Sequence, residues 1–519
     1  MSSPSTVPPP SLSPVVTQQA VAASPISEIP IDILLAIFET LVLAWDAVQI
    51  MPILLSRVCT RWRDCVVNSP TLWSTIRTYE VLDLTTVSFD HEIKRVKTFL
   101  MRSKGCLLTI DIAIYSYLRH EGEENAYADS LPEFHARLHE LSQALRIHAH
   151  RIKSLMLVVD EYQSTASILS SLKDVAMPML AHWDVLSIYD QSWGVDDEDL
   201  EDEEVHAHSV LLHPSNEHCV SLYPNLRSVS LHAVPHHWSR FSPSNLVMLE
   251  IKMIPLKWRP SAPALMRILR ANAHSLERLM LSVALPPDAY DAEVIPLPNL
   301  ELIEFGFTHT SEVISLINAI EVPNLRVLMI CDSRREYLHP TDRWKDSDFD
   351  AGITDLFAVI ASRFPLSQLT EMKLRHIALC PMPSPTPELL TDRMDIAIDF
   401  FCRLENLNFL AIYDSDFVTL DALNRVKRRV QAHPPKFPVP KLTFLQITDT
   451  RYKILQHFLW QRLGGSKVYK PLDSLVITMP SHWYQTSKWD TMNTKRLAQE
   501  VFPLISWLSP DEEQQLAAT

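Results

Sequence analysis

A short repeated sequence motif decides the fold of this chain. It is clearest in the stretches Leu297–Phe305 and Val322–Ile330, which read LPNLELIEF and VPNLRVLMI. Each follows the template L-x-x-L-x-L, in which x is any residue and other apolar residues replace leucine. Alternation of the last two apolar positions with a different residue predicts a short, half-buried strand. The motif recurs along the chain, so the first hypothesis is a fold built from repeats.

Eleven copies of the template follow one another, with helical patterns at 264–273, 311–320, 353–363, 393–404, 418–431 and 452–463 between them. Strands that alternate with helices predict an α/β fold with a parallel sheet. The apolar residues of the copies are Ile152-Leu155-Leu157, Trp183-Leu186-Ile188, Leu226-Val229-Leu231, Leu246-Leu249-Ile251, Leu276-Leu279-Leu281, Leu300-Ile303-Phe305, Leu325-Leu328-Ile330, Leu369-Met372-Leu374, Leu407-Leu410-Ile412, Leu442-Leu445-Ile447 and Leu472-Leu475-Ile477.

This succession of short strands and helices resembles a leucine-rich repeat solenoid, in which each repeat packs only against its neighbours. The resemblance implies short parallel strands stacked side by side. Wide gaps between some copies, and the absence of the asparagine ladder typical of that family, indicate an irregular, degenerate version. The alternative is a generic α/β protein whose strands happen to contain leucine.

A different pattern fills residues 26–78, where apolar residues recur at helical spacing. In the run IPIDILLAIFETL, Leu34, Ile37, Phe38 and Leu41 fall on one helical face. The run LLSRVCTRWRD predicts a buried stripe of Leu54, Val58, Trp62 and either Cys65 or Val66, and a third short helix starts at Ser69-Pro70. Three short helices cannot bury this much apolar surface among themselves, so a partner or the rest of the chain must cover it.

The residues of this region occur in three ordered blocks, IPxxxLLxIFxxL, VCxxWR and SPxLW. Together the blocks resemble the F-box, in the form typical of mushroom-type fungi. The sequence departs from the family in two ways: Ile29 stands where leucine is usual before the proline, and the loop between Leu41 and Val58 is longer than in the common animal form. Neither departure alters the predicted helical faces.

F-box proteins dock on the Skp-type adaptor of a cullin-based ubiquitin ligase. The resemblance therefore implies two partners for this chain, a Skp-type adaptor and, through it, a cullin. The sequence does not separate residues that contact the adaptor from residues of the motif's own core. The residues that share these two roles are Pro30, Leu34, Ile37, Phe38, Leu41, Val58, Cys59, Trp62, Pro70 and Trp73.

Composition narrows the classes of function. The chain has 519 residues, a formal net charge of −15, and only seven glycines, with no Gly-rich phosphate-binding motif. The negative charge argues against a general binder of nucleic acid or anionic membrane. Seven scattered cysteines without C-x-x-C spacing are typical of reduced thiols in a cytoplasmic or nuclear protein. No signal peptide is expected, because no Lys or Arg occurs before Arg57 and no cleavable apolar core follows. No membrane span is expected either, because the apolar segment 33–55 contains Glu39, Asp46 and Pro52.

Two segments contain residues that could bind metal. The acidic run Asp196–Glu204 is predicted to form a solvated loop at about residues 195–206, with calcium binding as the alternative. A group of histidines and Cys219 follows, but its spacing matches no zinc motif. No nucleophile elbow, H-E-x-x-H or catalytic cysteine motif is present, so we expect no enzyme activity, cofactor or metal. The histidines are His206, His208, His213 and His218.

The predicted organisation is a Ser/Pro leader at 1–25, an F-box at 26–78, a leucine-rich-repeat-like domain at 79–508 and a tail at 509–519. The implied function is the substrate-recognition subunit of a Skp/cullin/F-box-type ubiquitin ligase, whose repeats bind an unknown protein target. The alternative is a repeat-based scaffold that takes no part in ubiquitin transfer.

In each repeat, the residue between the last two apolar positions should point away from the core. Near the middle of the series these residues are Met280, Glu304, Met329 and Lys373, which we predict to bind the target. The alternative is that a loop or the segment Lys495–Leu508 covers them. The full predicted row is Met156, Ser187, Ser230, Glu250, Met280, Glu304, Met329, Lys373, Ala411, Gln446 and Val476.

Overall fold

The computed structural model describes residues 28–44, 50–78, 86–114, 124–159, 162–172, 175–187, 222–234, 236, 238, 241, 243–287, 290, 293–335, 352–379, 387–413, 415, 417–424, 437–448, 472, 474–478 and 505–508. The chain divides into two compact units. The first comprises Met1–Trp73 with Arg102–Lys104, and the second comprises Ser74–Met101 with Gly105–Thr519.

The described residues of the first unit form three α-helices and one 3₁₀ turn. The helices are α1 (Ile31–Ala44), α2 (Met51–Val58) and α3 (Thr60–Val67), and the 3₁₀ turn is Pro70–Trp73. Proline precedes α1 and lies in the first turn of α2, where its missing N–H costs nothing. Cys59 separates α2 from α3 because its backbone is extended, with φ of −157°. Its sulfur accepts a hydrogen bond from the backbone N–H of Trp62 at 3.5 Å, which caps α3.

The predicted buried stripe is wrong in α2 and correct at its end in α3. Leu54 and Val58 were expected to be buried, but they are 40% and 60% exposed, and α2 packs instead through Pro52 and Leu55. In α3, Cys65 and Val66 are both buried.

A small core holds the first unit together. Leu34, Phe38 and Trp73 are almost fully buried, at 1% exposure or less. The Phe38 ring meets the Trp62 ring edge-on, with centroids 4.8 Å apart. The indole N–H of Trp73 donates to the Val66 carbonyl at 2.8 Å, which satisfies the one polar atom of that buried side chain.

The second unit is built on one large parallel sheet. In its described part, fourteen strands lie side by side in the order in which they occur along the chain, and every neighbouring pair is parallel. These strands are β1 (Thr75–Thr78), β2 (Leu108–Ile114), β3 (Ile152–Val159), β4 (His182–Ser187), β5 (Ser228–His232), β6 (Met248–Lys252), β7 (Arg278–Ser282), β9 (Leu302–Phe307), β11 (Val327–Asp332), β12 (Glu371–Arg375), β13 (Phe409–Tyr413), β14 (Phe444–Thr448), β15 (Ser474–Thr478) and β16 (Ile505–Leu508).

The two remaining described strands, β8 (Ile295–Pro296) and β10 (Ile320–Glu321), pair with each other. Helices of this unit lie between successive strands of the chain, as the alternating pattern predicted. They are α4 (Thr86–Arg102), α5 (Glu124–Ile147), α6 (Tyr162–Leu172), α7 (Ala262–Ala271), α8 (Thr310–Ala319), α9 (Ile353–Arg363), α10 (Pro387–Arg403) and α11 (Phe417–Asn424). The α/β class with a large parallel sheet is therefore confirmed, and α9 matches its predicted bounds.

The repeated apolar positions form the core of this unit. In β7, for example, Leu279 and Leu281 are fully buried, and Met280 between them is only half-buried. Aromatic side chains fill the space between helices, because Phe357 of α9 stacks on Phe400 of α10 with ring centroids 4.4 Å apart. The sheet thus has one apolar face and one polar face.

One predicted copy is out of register by three residues. The sequence aligned Leu186 and Ile188 with the core positions, but the β3–β4 pairing sets Trp183 and Val185 opposite Leu155 and Leu157. Because side chains alternate between the two faces of a strand, an odd shift moves every side chain to the other face. The outward residue of this repeat is therefore Asp184 rather than Ser187.

An asparagine series connects successive repeats at the turn before the strand. Each asparagine directly precedes the first leucine of its repeat and donates its side-chain N–H to a backbone carbonyl in the equivalent turn of the preceding repeat. The sequence lacks the asparagine ladder at the position usual in leucine-rich repeats, and these bonds connect successive repeats instead. They join Asn225 to Pro178 (2.7 Å), Asn299 to His274 (2.6 Å), Asn324 to Pro298 (2.8 Å) and Asn406 to Ser367 (2.6 Å).

Four strands end in a left-handed residue that is not glycine. Ala233, Met253, Val283 and His376 follow β5, β6, β7 and β12 with φ between 52° and 58°. Such a conformation costs an L-residue about 1–2 kcal/mol. Each N–H donates to a carbonyl of the next strand, as from Val283 to Gly306 at 2.8 Å, so the ladder compensates for the cost.

Some predictions lie outside the described residues. These are the helix at 452–463, the end of the helix predicted at 418–431, the acidic run Asp196–Glu204, and the neighbouring histidines with Cys219. Of the segment Lys495–Leu508, the residues Ile505–Leu508 form β16, which pairs with β15 as the last strand of the sheet.

Candidate interaction surfaces

The first candidate is an apolar surface on α1 and α2. Ile33 and Ile37 are four residues apart and share one face of α1, whereas Ile50, Leu54 and Val58 repeat at the same interval along α2. All five side chains are exposed although the unit has its own core. We call these five residues the helical apolar surface; Ile31 is also exposed, but it lies two residues from Ile33 and so on a different side of α1. Several exposed apolar side chains on one folded unit mark a site of protein contact.

Burial divides the ten residues predicted to share adaptor contact and core. Leu34, Phe38 and Trp73 are buried and belong to the core of the unit. Pro30, Ile37, Val58 and Cys59 are exposed, whereas Leu41, Trp62 and Pro70 are half-buried. The helices also expose Ile31, Ile33, Ile50 and Leu54, which the prediction omitted.

The second candidate is the polar face of the parallel sheet. Strand register aligns the outward residues into one row that crosses the strands, and we call it the central row. Met280, Glu304, Met329 and Lys373 lie in this row on four consecutive strands, so the structure brings the four predicted target-binding residues together. From β2 to β15 the row is Asp111, Met156, Asp184, Ser230, Glu250, Met280, Glu304, Met329, Lys373, Ala411, Gln446 and Val476.

One lysine is shared by two carboxylates on this face. Lys252 Nζ lies 2.7 Å from Glu250 Oε1 and 3.2 Å from Glu304 Oε1, and so spans β6 to β9. The strand between them, β7, carries small Ser282 beside this lysine, which leaves room for the long side chain. The charges of Glu304 and Glu250 raise the pKa of Lys252 against the opposing effect of burial.

The neighbouring strands concentrate negative charge. Burial raises the pKa of Asp184, and the charges of Glu250 and Asp111 add to the rise, whereas a hydrogen bond to Ser230 opposes it. Burial and the charge of Lys252 lower the pKa of His232 to about 4, so this imidazole is neutral at pH 7 and supplies no balancing cation.

Towards the C-terminal strands the polar face becomes basic and aromatic. Lys373 Nζ lies 5.8 Å from the centroid of the Phe409 ring, and Phe409 stacks on Phe444 with centroids 4.7 Å apart. Arg375 lies 5.5 Å from the centroid of Tyr413 on the same two strands. The cations are thus held over aromatic rings. The face therefore changes sign between β9 and β12.

Gly306 allows β7 and β9 to approach closely within this face. A Cβ at residue 306 would lie 2.0 Å from Ser282 Oγ and 2.8 Å from Ser282 Cα. We therefore expect Gly306→Ala to destabilise the protein by about 1–3 kcal/mol, because the backbone itself must shift. Urea unfolding followed by circular dichroism measures the change.

The matched control is Cys331→Ala, which changes the residue paired with Gly306 on the next strand without adding an atom at the close contact. Ser282→Gly should restore only part of the lost stability, because the contact with Cα remains. Equal stability of Gly306→Ala and the wild type would contradict the close approach.

Membrane spans, metal sites and disulfides are three further features to which the described residues speak. No helix in the described part of the chain is long and apolar enough to cross a membrane. Within those described ranges, no group of three or more His, Cys, Asp or Glu side chains could hold a metal ion. The cysteines that the structure describes, Cys59, Cys65, Cys106, Cys331 and Cys402, are not joined in disulfides.

No protein-family model and no curated protein matches this chain in sequence. The helical apolar surface and the polar face of the sheet are therefore the basis for the function of this chain.

Proposed function

We propose that this chain is the substrate-recognition subunit of a Skp/cullin/F-box-type ubiquitin ligase. In this proposal α1–α3 form the F-box and bind the adaptor. The sheet with its helices forms an irregular leucine-rich repeat solenoid whose polar face binds the target. The chain carries no active site of its own, and its contribution to ubiquitin transfer is to hold the target beside the catalytic subunits.

The observation that carries the proposal is the helical apolar surface. A unit of three short helices has packed Leu34, Phe38 and Trp73 into a core, yet Ile37 and Leu54 still face solvent. Exposing such side chains is unfavourable by roughly 1.5–3 kcal/mol each relative to burial. A partner that covers them recovers that free energy, as expected for a protein-docking motif.

The order of the strands supports the solenoid. Consecutive strands are neighbours throughout the described sheet, so the backbone of each strand pairs with the strands before and after it. The asparagine series, in which Asn299 and Asn324 bond to the preceding repeats, reinforces the same nearest-neighbour arrangement. In solenoids of this kind the strand surface is available to ligands, which favours the polar face as the target site.

A variant of the central row tests the target site. We combine Met280→Glu, Met329→Glu and Lys373→Glu with Glu304→Gln. A neutral replacement is chosen at residue 304 because Lys252 lies beside Glu304. This variant should remain folded and bound to the adaptor while losing its target, since apolar contacts and a charge are removed together. Affinity purification with mass spectrometry, compared with the wild type, measures both partners.

The matched control reverses the exposed charges Glu277, Glu301 and Arg326, which lie in the turns before the same strands. It should keep the target. Capture of the same target by the central-row variant would move the target site elsewhere. Recovery of adaptor without cullin from wild-type protein would contradict the ligase role and favour the scaffold alternative.

A further inference from the structure

From β2 to β12 the charges of the central row have a period of two strands, whereas β1 adds a charged residue, Arg77, directly beside Asp111. Charged residues stand on every second strand of the sheet, at β2, β4, β6, β9 and β12, as Asp111, Asp184, Glu250, Glu304 and Lys373. The strands between them carry uncharged residues in the same row. These are Met156, Ser230, Met280 and Met329.

This period corresponds to a distance. Neighbouring strands lie about 4.7–4.9 Å apart, so successive charges of the row are spaced by roughly 9.4–9.8 Å. Each uncharged residue lies about 5 Å from the charges on either side. An occupant that matches the row must present charges at the larger interval and an apolar group halfway between them.

Only one regular backbone meets both requirements. An α-helix presents residues seven apart on one face at about 10.5 Å, and the residue three or four positions on lies midway. An extended strand repeats on one face at about 6.6 Å. Polyproline II repeats at about 9.3 Å but has no residue of the same face halfway. The small mismatch for a helix is within the reach of flexible lysine or arginine side chains.

We propose that the polar face binds an amphipathic α-helix of the target that lies along the central row. Its basic residues, seven apart, would face Asp184, Glu250 and Glu304, and its apolar residues would contact Met280 and Met329. This inference rests on the proposed function, in which the polar face is the target site.

The charges on the face fit a cationic occupant. Lys252 is the one ammonium that Glu250 and Glu304 share, so two carboxylates have a single partner between them. Asp184 has a hydrogen bond to Ser230 and feels the repulsion of Glu250 and Asp111. A basic side chain placed over β4 to β9 would relieve that repulsion. Methionine between the charges suits the apolar groups of a helix, because its side chain adapts to their shape.

Lys373 sets the direction of the helix. It continues the two-strand period but reverses the charge, and its ammonium is already held by Glu371 at 3.2 Å and by the Phe409 ring. The fourth residue of the heptad series should therefore be acidic. From Asp184 to Lys373 the row crosses six strand spacings, about 29 Å, which a helix of about 20 residues spans.

Synthetic peptides test the inference with the full-length protein. The probe is a helical alanine- and glutamine-based peptide of about 22 residues, with three lysines seven residues apart, a glutamate seven residues after the last, and leucines midway. The control peptide has the same composition with lysines five residues apart, which spreads them around the helix. Fluorescence anisotropy should show at least about tenfold tighter binding of the probe, corresponding to one or two lost ion pairs.

A charge exchange makes the test specific for the row. Lys373→Glu protein should bind the probe more weakly than the wild type, and should prefer a probe whose terminal glutamate is replaced with lysine. The wild type should show the reverse preference. Circular dichroism confirms that the variant is folded and that the peptides are equally helical.

Equal binding of probe and control, or no binding of either, would overturn the helical occupant. So would a preference for a proline-rich peptide with lysine at every third position. None of these results affects adaptor capture or target capture by the wild type, so a failure here is distinct from a failure of the proposed function.

Discussion

Replacing Ile37 and Leu54 together with glutamate is expected to abolish capture of a Skp-type adaptor by an otherwise folded protein. The two side chains are 42% and 40% exposed on α1 and α2, and neither belongs to the core beneath them. A glutamate at either position is hydrated in the free protein, so folding is little affected. In the complex the same carboxylate would be buried without a partner.

The expected effect is large. Apolar residues at the centre of an interface each contribute about 2 kcal/mol or more, so losing two weakens binding by roughly 10³-fold. Pull-down with purified adaptor, followed by calorimetry, measures the loss. Leu34 is unsuitable for this experiment because it is 1% exposed, and a charge there would unfold the unit instead of testing the contact.

The matched control is Thr60→Glu with Asn68→Glu, which adds the same charge at exposed polar positions in and just after α3. This control should keep its adaptor. Wild-type affinity in the Ile37 and Leu54 variant would remove the basis for calling α1–α3 an F-box, whatever the resemblance of the sequence.

The second large effect concerns a buried ion pair in the sheet unit. Arg259 Nη1 lies 3.0 Å from Glu312 Oε1, and both side chains are only 4% exposed. Arg259 also donates to the carbonyls of Ile254 and Leu285, and Glu312 accepts a hydrogen bond from the Thr308 hydroxyl at 3.1 Å. We expect Arg259→Met to destabilise the protein by about 3–5 kcal/mol, because a carboxylate is left buried without its cation.

Urea unfolding checks this expectation, with Arg270→Met as the control. Arg270 pairs with Glu293 at a similar distance, 2.8 Å, but in solvent, so its loss should cost less than about 1 kcal/mol. Equal losses in the two variants would contradict the role of burial. Adding Glu312→Leu to Arg259→Met should recover part of the stability, since no orphan carboxylate remains.

The sequence by itself determined the α/β class, the parallel sheet and the row that contains Met280, Glu304, Met329 and Lys373. It could do so because a strand alternates between faces with a period of two residues, so buried leucines identify the residues between them. The same local regularity placed α9 correctly. Where that regularity was ambiguous, as at Trp183, Leu186 and Ile188, the predicted register was wrong by three residues.

The tertiary structure alone decided which of the helical residues are covered. A reading of helical period placed Leu54 and Val58 on a buried stripe, whereas α2 packs through Pro52 and Leu55 and leaves those two side chains exposed. Pairing across the chain likewise joined Arg259 to Glu312, fifty-three residues apart, and set Lys252 between Glu250 and Glu304. Periodicity reports which face of an element is apolar, whereas contacts between distant residues depend on how complete elements pack and which strands become neighbours.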